Sequence, residues 1–168
     1  RLDSALAAYR LLMAGAEREA RPLAADLDRQ NRERQKLTGD MVQLAREPIV
    51  ADKGQQPLYF VWHQEFHAGV VGLAASRLSE EFYRPVLVAE QGPEVTKGSA
   101  RSIPEFHITE ALDECADLLV RYGGHAAAAG FTVANENLPA LQDRLLKIAR
   151  QQLTGIQLRP TVSVDGEV

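Results

Sequence analysis

The sequence predicts an α/β chain: a long N-terminal helix followed by a mixed, partly parallel sheet flanked by helices. Two periodicities predict it. Between Glu17 and Glu47 the apolar residues Ala20, Leu23, Ala24, Leu27, Leu37, Met41 and Leu44 recur three and four apart, the spacing of one helical face. From residue 57 to 153 short apolar runs alternate with helical patterns, as in strands joined by helices. The composition permits such a fold, because 168 residues with 45% apolar and 25% charged side chains match an ordinary globular protein with a core.

The elements follow in order. Residues 4–14 carry strong helix formers and stop at Gly15. The helix over 17–47 is almost wholly polar from Asp28 to Lys36 and amphipathic at both ends, which suits a connector bridging two domains through solvent. Pro48 is expected to end it. Residues 57–63 read as a strand. Residues 69–82 read as a helix with Val70, Val71, Ala74, Leu78 and Phe82 on one face. Residues 85–89 form a second buried strand, Gly92-Pro93 marks a turn, and 94–102 is a polar strand or extended loop. Thr109 is expected to cap a helix whose apolar face holds Ala111, Leu112, Cys115, Leu118 and Leu119, with Gly123-Gly124 stopping it. Residues 128–133 resume strand character, and a last helix runs from about 139 to 153. The tail 161–168 alternates like a strand with nothing after it to pair with. That tail and the opening on Arg1 both read as cuts in a longer protein.

Several classes are excluded. No apolar run approaches the roughly 20 residues needed to span a bilayer, and no signal-peptide pattern opens the chain. The single cysteine, Cys115, allows no intramolecular disulfide and fits a reducing compartment, the cytoplasm. Among Ala111, Leu112, Leu118 and Leu119 it reads as a small core residue. With a formal net charge of −4, an anionic ligand must be met by a local arrangement.

Three segments offer such an arrangement. His67-Ala-Gly-Val-Val-Gly72 is a strand-to-helix turn whose glycines either admit a phosphate to backbone amides or only permit tight packing. Lys97-Gly-Ser-Ala-Arg-Ser102 combines hydroxyls and positive charge suited to phosphate oxygens, or is a solvated polar arm. Gly123-Gly-His-Ala-Ala-Ala-Ala-Gly130 holds His125 out of a sharp turn where it could meet an anion or a metal, or is a helix stop followed by packed alanines. His63 and His107 are too scattered to complete a metal cage, so no hydrolytic centre is assembled.

Together and in this order these blocks, with Ser-Arg-Leu78, Tyr83-Arg-Pro85 and Ile103, resemble the RecJ family of single-strand-specific DNA exonucleases in the DHH phosphoesterase superfamily. The resemblance covers nearly the whole chain. It implies a helical connector from an absent DHH domain over 1–48, a DHH-associated domain over 49–154, and the start of an oligonucleotide-binding-fold domain over 155–168. It further implies Mn²⁺ or Mg²⁺ bound by the absent domain, no metal in this segment, and single-stranded DNA as partner in repair and recombination. Ser99 and Arg101 would contact a terminal 5′-phosphate with Ser102 nearby. Gly123, Gly124 and His125 would face the scissile phosphate, with His125 helping to stabilise developing charge. His67 and Arg77 would line the cleft wall. The segment alone would lack hydrolytic activity.

Charge tempers the expected grip. From Ser76 to Ala128 there are five Lys or Arg against nine Asp or Glu. Only Tyr83, Phe106, Tyr122 and Phe131 could stack on bases, and Phe131 reads as core. The alternatives are a DHH-type phosphodiesterase of short RNA or cyclic dinucleotides, and a non-catalytic nucleic-acid-binding module like the related domain of alanyl-tRNA synthetases.

Overall fold

The computed structural model describes residues 5–53, 55–161 and 166. Its elements are α1 (Leu6–Met13), α2 (Glu17–Ala51), β1 (Tyr59–His63), α3 (Val71–Phe82), β2 (Val86–Gln91), β3 (Val95–Arg101), α4 (Ile108–Asp113), β4 (Leu119–His125), β5 (Ala128–Ala134) and α5 (Leu138–Leu153). The strand-like run expected at 161–168 falls largely outside the described residues.

In α2 the buried residues are Thr38, Met41, Ala45 and Ile49, a single stripe that begins only past the middle of the helix. The polar stretch from Asp28 to Lys36 has no buried residue, as its composition requires. Ion pairs Arg21–Glu17, Arg29–Asp26 and Arg32–Asp28 line the first half of the helix; such exposed pairs are worth at most about 1 kcal/mol each. Pro48 does not end the helix, which continues to Ala51. A proline inside a helix forfeits one hydrogen bond and crowds the preceding turn. Here Ala45 and Ile49 on either side are fully buried, and that packing outweighs the local cost.

The five strands form one sheet in the order β1-β2-β3-β5-β4. Only β1 and β2 are parallel, joined by α3 as crossover; the other three pairings are antiparallel. β2 is buried on both faces, which is why it reads as a continuous apolar run. Val86 and Val88 meet Ile49, Val71, Ala74 and Leu78 on one side. Leu87 and Ala89 meet Phe106, Phe131, Leu141 and Leu145 on the other. α3 lies over β2 and β3. The same face of β5 and β4 stays exposed at Arg121, Gly123, His125 and Gly130.

The segment 109–125 departs from the expectation of a single long helix stopped by Gly123-Gly124. α4 has 6 residues, a short 3₁₀ turn follows over Ala116–Leu118, and β4 begins at Leu119. The run Leu119-Val-Arg-Tyr122 favours a strand, and β5 supplies the partner that fixes that choice. The glycines therefore lie inside a strand. The helix cap is His107, whose Nδ1 accepts the Glu110 amide at 3.2 Å. Thr109, the expected cap, instead donates to the His125 carbonyl at 2.8 Å.

Cys115 is fully buried in the core, as its neighbours predict. Burial pushes its thiol up to about 11, so thiolate is scarce in the folded protein at pH 8. Iodoacetamide is expected to leave Cys115 unmodified at that pH and to alkylate it rapidly in denaturing urea, as mass spectrometry would record. Rapid labelling of the folded protein would contradict this packing.

Candidate nucleic-acid interface

Residues paired directly across neighbouring strands share a face of the sheet. The registers through β2, β3, β5 and β4 therefore build three rows on the side that α3 partly covers. The first is Val86, Arg101, Ala128 and His125. The second is Val88, Ser99, Gly130 and Gly123. The third is Glu90, Lys97, Thr132 and Arg121. A solvent-open hollow of about 480 Å³ is lined by Arg121, Gly123, Gly130 and Thr132 among others.

α3 supplies one wall. Arg101 Nε donates to Ser76 Oγ at 3.1 Å, and Nη1 donates to the Ala100 carbonyl at 2.8 Å. A Cβ on Gly72 would stand 3.3 Å from Arg101 Nη2 and 3.5 Å from Ser99 Oγ. The missing side chain lets the helix close on both residues, so the turn at His67–Gly72 and the segment at 97–102 are parts of one site. Nη2 is left available to a ligand beside the Ser99 hydroxyl.

The β4–β5 hairpin supplies the opposite side. Three consecutive carbonyls at its tip are held: His125 O by Thr109 Oγ1, Ala126 O by Ile108 N at 3.0 Å, and Ala127 O by Ser102 N at 2.9 Å. This fixes the backbone of His125 two strands from Arg101, while its imidazole stays exposed without a hydrogen-bond partner among the described residues.

The glycines divide by role. A Cβ on Gly124 would lie 2.2 Å from the Ala128 carbonyl oxygen and 2.5 Å from Ala129 Cα, so packing excludes any side chain there. Nothing lies within 4 Å of a Cβ built on Gly123, and the nearest atom at Gly130 is 4.0 Å away. These two glycines pair across the strands and leave the floor bare without any packing need.

The remaining expected site residues are peripheral. The Ser102 hydroxyl donates to the Phe106 carbonyl at 2.6 Å and holds the loop that grips the hairpin. His67 is exposed at the start of α3; its Nδ1 accepts the Gly69 amide at 3.1 Å and its carbonyl accepts the Val70 and Val71 amides. Arg77 is exposed on α3 next to Ser76, without a partner among the described residues. Sequence reasoning missed Ser76 and Arg121 as parts of the candidate site. Reading 119–125 as a strand, with its period of two, would have put Arg121, Gly123 and His125 on one face.

The expected aromatic platforms are absent from the floor. Phe106 and Phe131 are core. Tyr83 donates to Glu105 at 3.1 Å. Tyr122 pairs with Phe131 on the opposite face, and the Asp113 carboxylate beside its hydroxyl pushes its pKa up. None of the three rows contains Phe, Tyr or Trp, so the surface suits phosphates and not stacked bases. Among the described residues no group of three or more His, Cys, Asp or Glu could hold a metal ion. No described helix is long and apolar enough to cross a membrane.

A mixed five-strand sheet with α3 over one face, carrying an arginine, a serine and a Gly-Gly-His hairpin there, defines an α/β domain. Residues 54–153 match the DHHA1 domain, and the chain belongs to that family. The single-stranded-DNA-specific exonuclease RecJ of Bacillus subtilis is 40% identical over 167 residues, covering 98% of this chain and 21% of that protein. The crystal structure of RecJ in complex with Mn²⁺ from Thermus thermophilus matches with a TM-score of 0.78 at 36% identity, over 88% of this chain and 22% of that one. This chain thus spans about a fifth of either relative. Both agree with the RecJ resemblance of the sequence blocks. The C-Ala domain of Aquifex aeolicus alanyl-tRNA synthetase shares the fold alone, at a TM-score of 0.50 and 17% identity over 55% of this chain.

The two adjacent glycines should respond oppositely to alanine. Gly124→Ala is expected to cost about 3 kcal/mol by overpacking, lowering the thermal midpoint by roughly 10 °C. Gly123→Ala should leave the midpoint unchanged or slightly raised, since glycine inside a strand costs about 0.5–1 kcal/mol relative to alanine. Calorimetry of both variants checks the assignment.

Proposed function

We propose that this chain is the substrate-gripping part of a single-stranded-DNA exonuclease that works from 5′ to 3′ in DNA repair and recombination. In this reading residues 1–48 are the connector from a domain that holds Mn²⁺ or Mg²⁺. Residues 49–154 are the gripping domain, and 155–168 begin the next one. The observation that supports it most is the first two rows: Arg101, Ser99 and His125 lie in neighbouring rows on the face that carries the bare pair Gly123 and Gly130.

The geometry supports the following roles. Arg101, steadied by Ser76, keeps Nη2 free for a phosphate oxygen, and Ser99 adds a hydroxyl beside it. Together they receive the terminal 5′-phosphate. Gly123 lets the strand lie against the backbone. His125 donates to an oxygen of the scissile phosphate and stabilises charge that develops there. Gly124 and Ser102 hold the hairpin that carries it. Arg77 and His67 stand at the rim. Because the floor carries no Phe, Tyr or Trp, the grip follows the sugar-phosphate backbone without regard to sequence.

End recognition is read by fluorescence anisotropy at low salt, where electrostatic binding is strongest. A 3′-labelled strand bearing a 5′-phosphate should bind this chain more tightly than one ending in a 5′-hydroxyl, and Arg101→Ala should abolish the difference. Equal binding of the two strands by the wild-type chain would refute end recognition by Arg101. In the assembled exonuclease, His125→Ala should slow cleavage by about a hundredfold, the usual effect of losing one donor to developing charge, while strand affinity changes little. Unchanged turnover would remove His125 from the chemistry.

A further inference from the structure

The third row is not used by that reading, yet it holds two cations that no ion pair engages among the described residues. Lys97 on β3 and Arg121 on β4 are exposed, lie in register on either side of Thr132, and have no partner among the described residues. Several arginines elsewhere are engaged, Arg46 with Glu81, Arg144 with Asp117 and Arg150 with Gln56, whereas Arg77 on α3 is not. The carboxylate in the same row, Glu90, is turned to the Ala68 amide at 3.0 Å. Two strand spacings separate Lys97 from Arg121, about 10 Å between their backbones, so both long side chains can reach one anion above the Thr132 hydroxyl. Arg121 and Thr132 also line the open hollow.

We infer that Lys97 and Arg121 hold a second phosphate of the same strand, so the site recognises an oligonucleotide through two phosphates and not through its end alone. The inference rests on the reading of Arg101 and His125 as the first phosphate site. Four residues along β3 separate Arg101 from Lys97, about 13 Å at the rise of a strand. A stacked nucleic-acid strand advances about 3.4 Å per nucleotide, so that gap corresponds to roughly four stacked nucleotides and to fewer in an extended strand. The bare glycine row lies between the two sites and leaves the intervening backbone unobstructed. A dinucleotide reaches only the first site, whereas a hexanucleotide fills both. The ligand class is therefore a short or long single strand, and dinucleotides are poor ligands.

The test is anisotropy of this chain at low salt with 3′-labelled thymidine dinucleotide and hexanucleotide, each with a 5′-phosphate or a 5′-hydroxyl. The wild-type chain should bind the hexanucleotide about tenfold more tightly than the dinucleotide. Lys97→Ala combined with Arg121→Ala should erase that gain and lower the salt slope by about 0.7, the contribution of one single-strand phosphate. It should keep the preference for a 5′-phosphate. Both residues are exposed, and an unchanged thermal midpoint confirms that the double variant folds. A length gain that survives in the double variant, or is missing in the wild type, overturns the second site. Loss of the end preference in the wild type with the length gain intact overturns the Arg101 reading alone. No binding of any strand at low salt overturns both.

Discussion

The pairing register of β5 with β4 governs the site more than any single side chain does. Side chains alternate across a sheet, so a slip of one residue would carry His125, Gly123 and Arg121 to the core face and bring Gly124 and Tyr122 out. Two features oppose the slip. Gly124 sits where a Cβ would strike Ala128 and Ala129, so only glycine can occupy that position in this register. The hairpin tip is tied at three consecutive carbonyls to Ser102, Ile108 and Thr109. The irregularity between Leu119 and Arg121 absorbs one residue, which lets Leu119 face the core while Arg121 faces the floor.

That scaffold gives an acidic chain a locally cationic face. The net charge of −4 gives no long-range attraction to nucleic acid. The positive charge of this face is local: Arg101 is held against α3, and Lys97 and Arg121 have no partner among the described residues. Of the nine acids counted between Ser76 and Ala128, Glu90 lies in the third row beside Lys97, and four are engaged by other groups. Glu81 pairs with Arg46, Asp117 with Arg144, Glu105 meets Tyr83, and Asp113 lies beside Tyr122 on the far face. A count along the sequence therefore understated the positive character of this face.

The sequence revealed the fold wherever periodicity coincided with burial. The double-faced run at 85–89 and the amphipathic stripe at 70–78 are what the structure shows. It failed at 109–125, because Ala111, Leu112, Cys115 and Leu118 keep a helical spacing while β4 depends on β5, a partner that local pattern cannot see. That error hid the parity that sets Gly123 apart from Gly124, although both glycines stood out in the sequence. Pro48 misled for a related reason: burial of Ala45 and Ile49 outweighs a local breaker. The site's membership was legible as blocks, but its geometry was not, since Ser76 and Arg121 acquire meaning only from the helix and strand beside them.

Two costs coincide on the floor. Glycine inside a strand gives up about 0.5–1 kcal/mol relative to alanine, and at Gly123 no neighbour requires it. Unpaired cations facing one another across about 10 Å repel weakly in solvent, and neither gains from an ion pair. A surface shaped only for stability would carry alanine or threonine there and a carboxylate between the cations. Local rules of this kind are broken where a ligand supplies the compensation. An anion lying along the floor supplies both, filling the space above the glycines and neutralising the cations. The same reasoning separates Gly124 and Gly98, where a Cβ would strike Ala128, Ala129, Phe131 or Ala89, from Gly123, where packing requires no glycine.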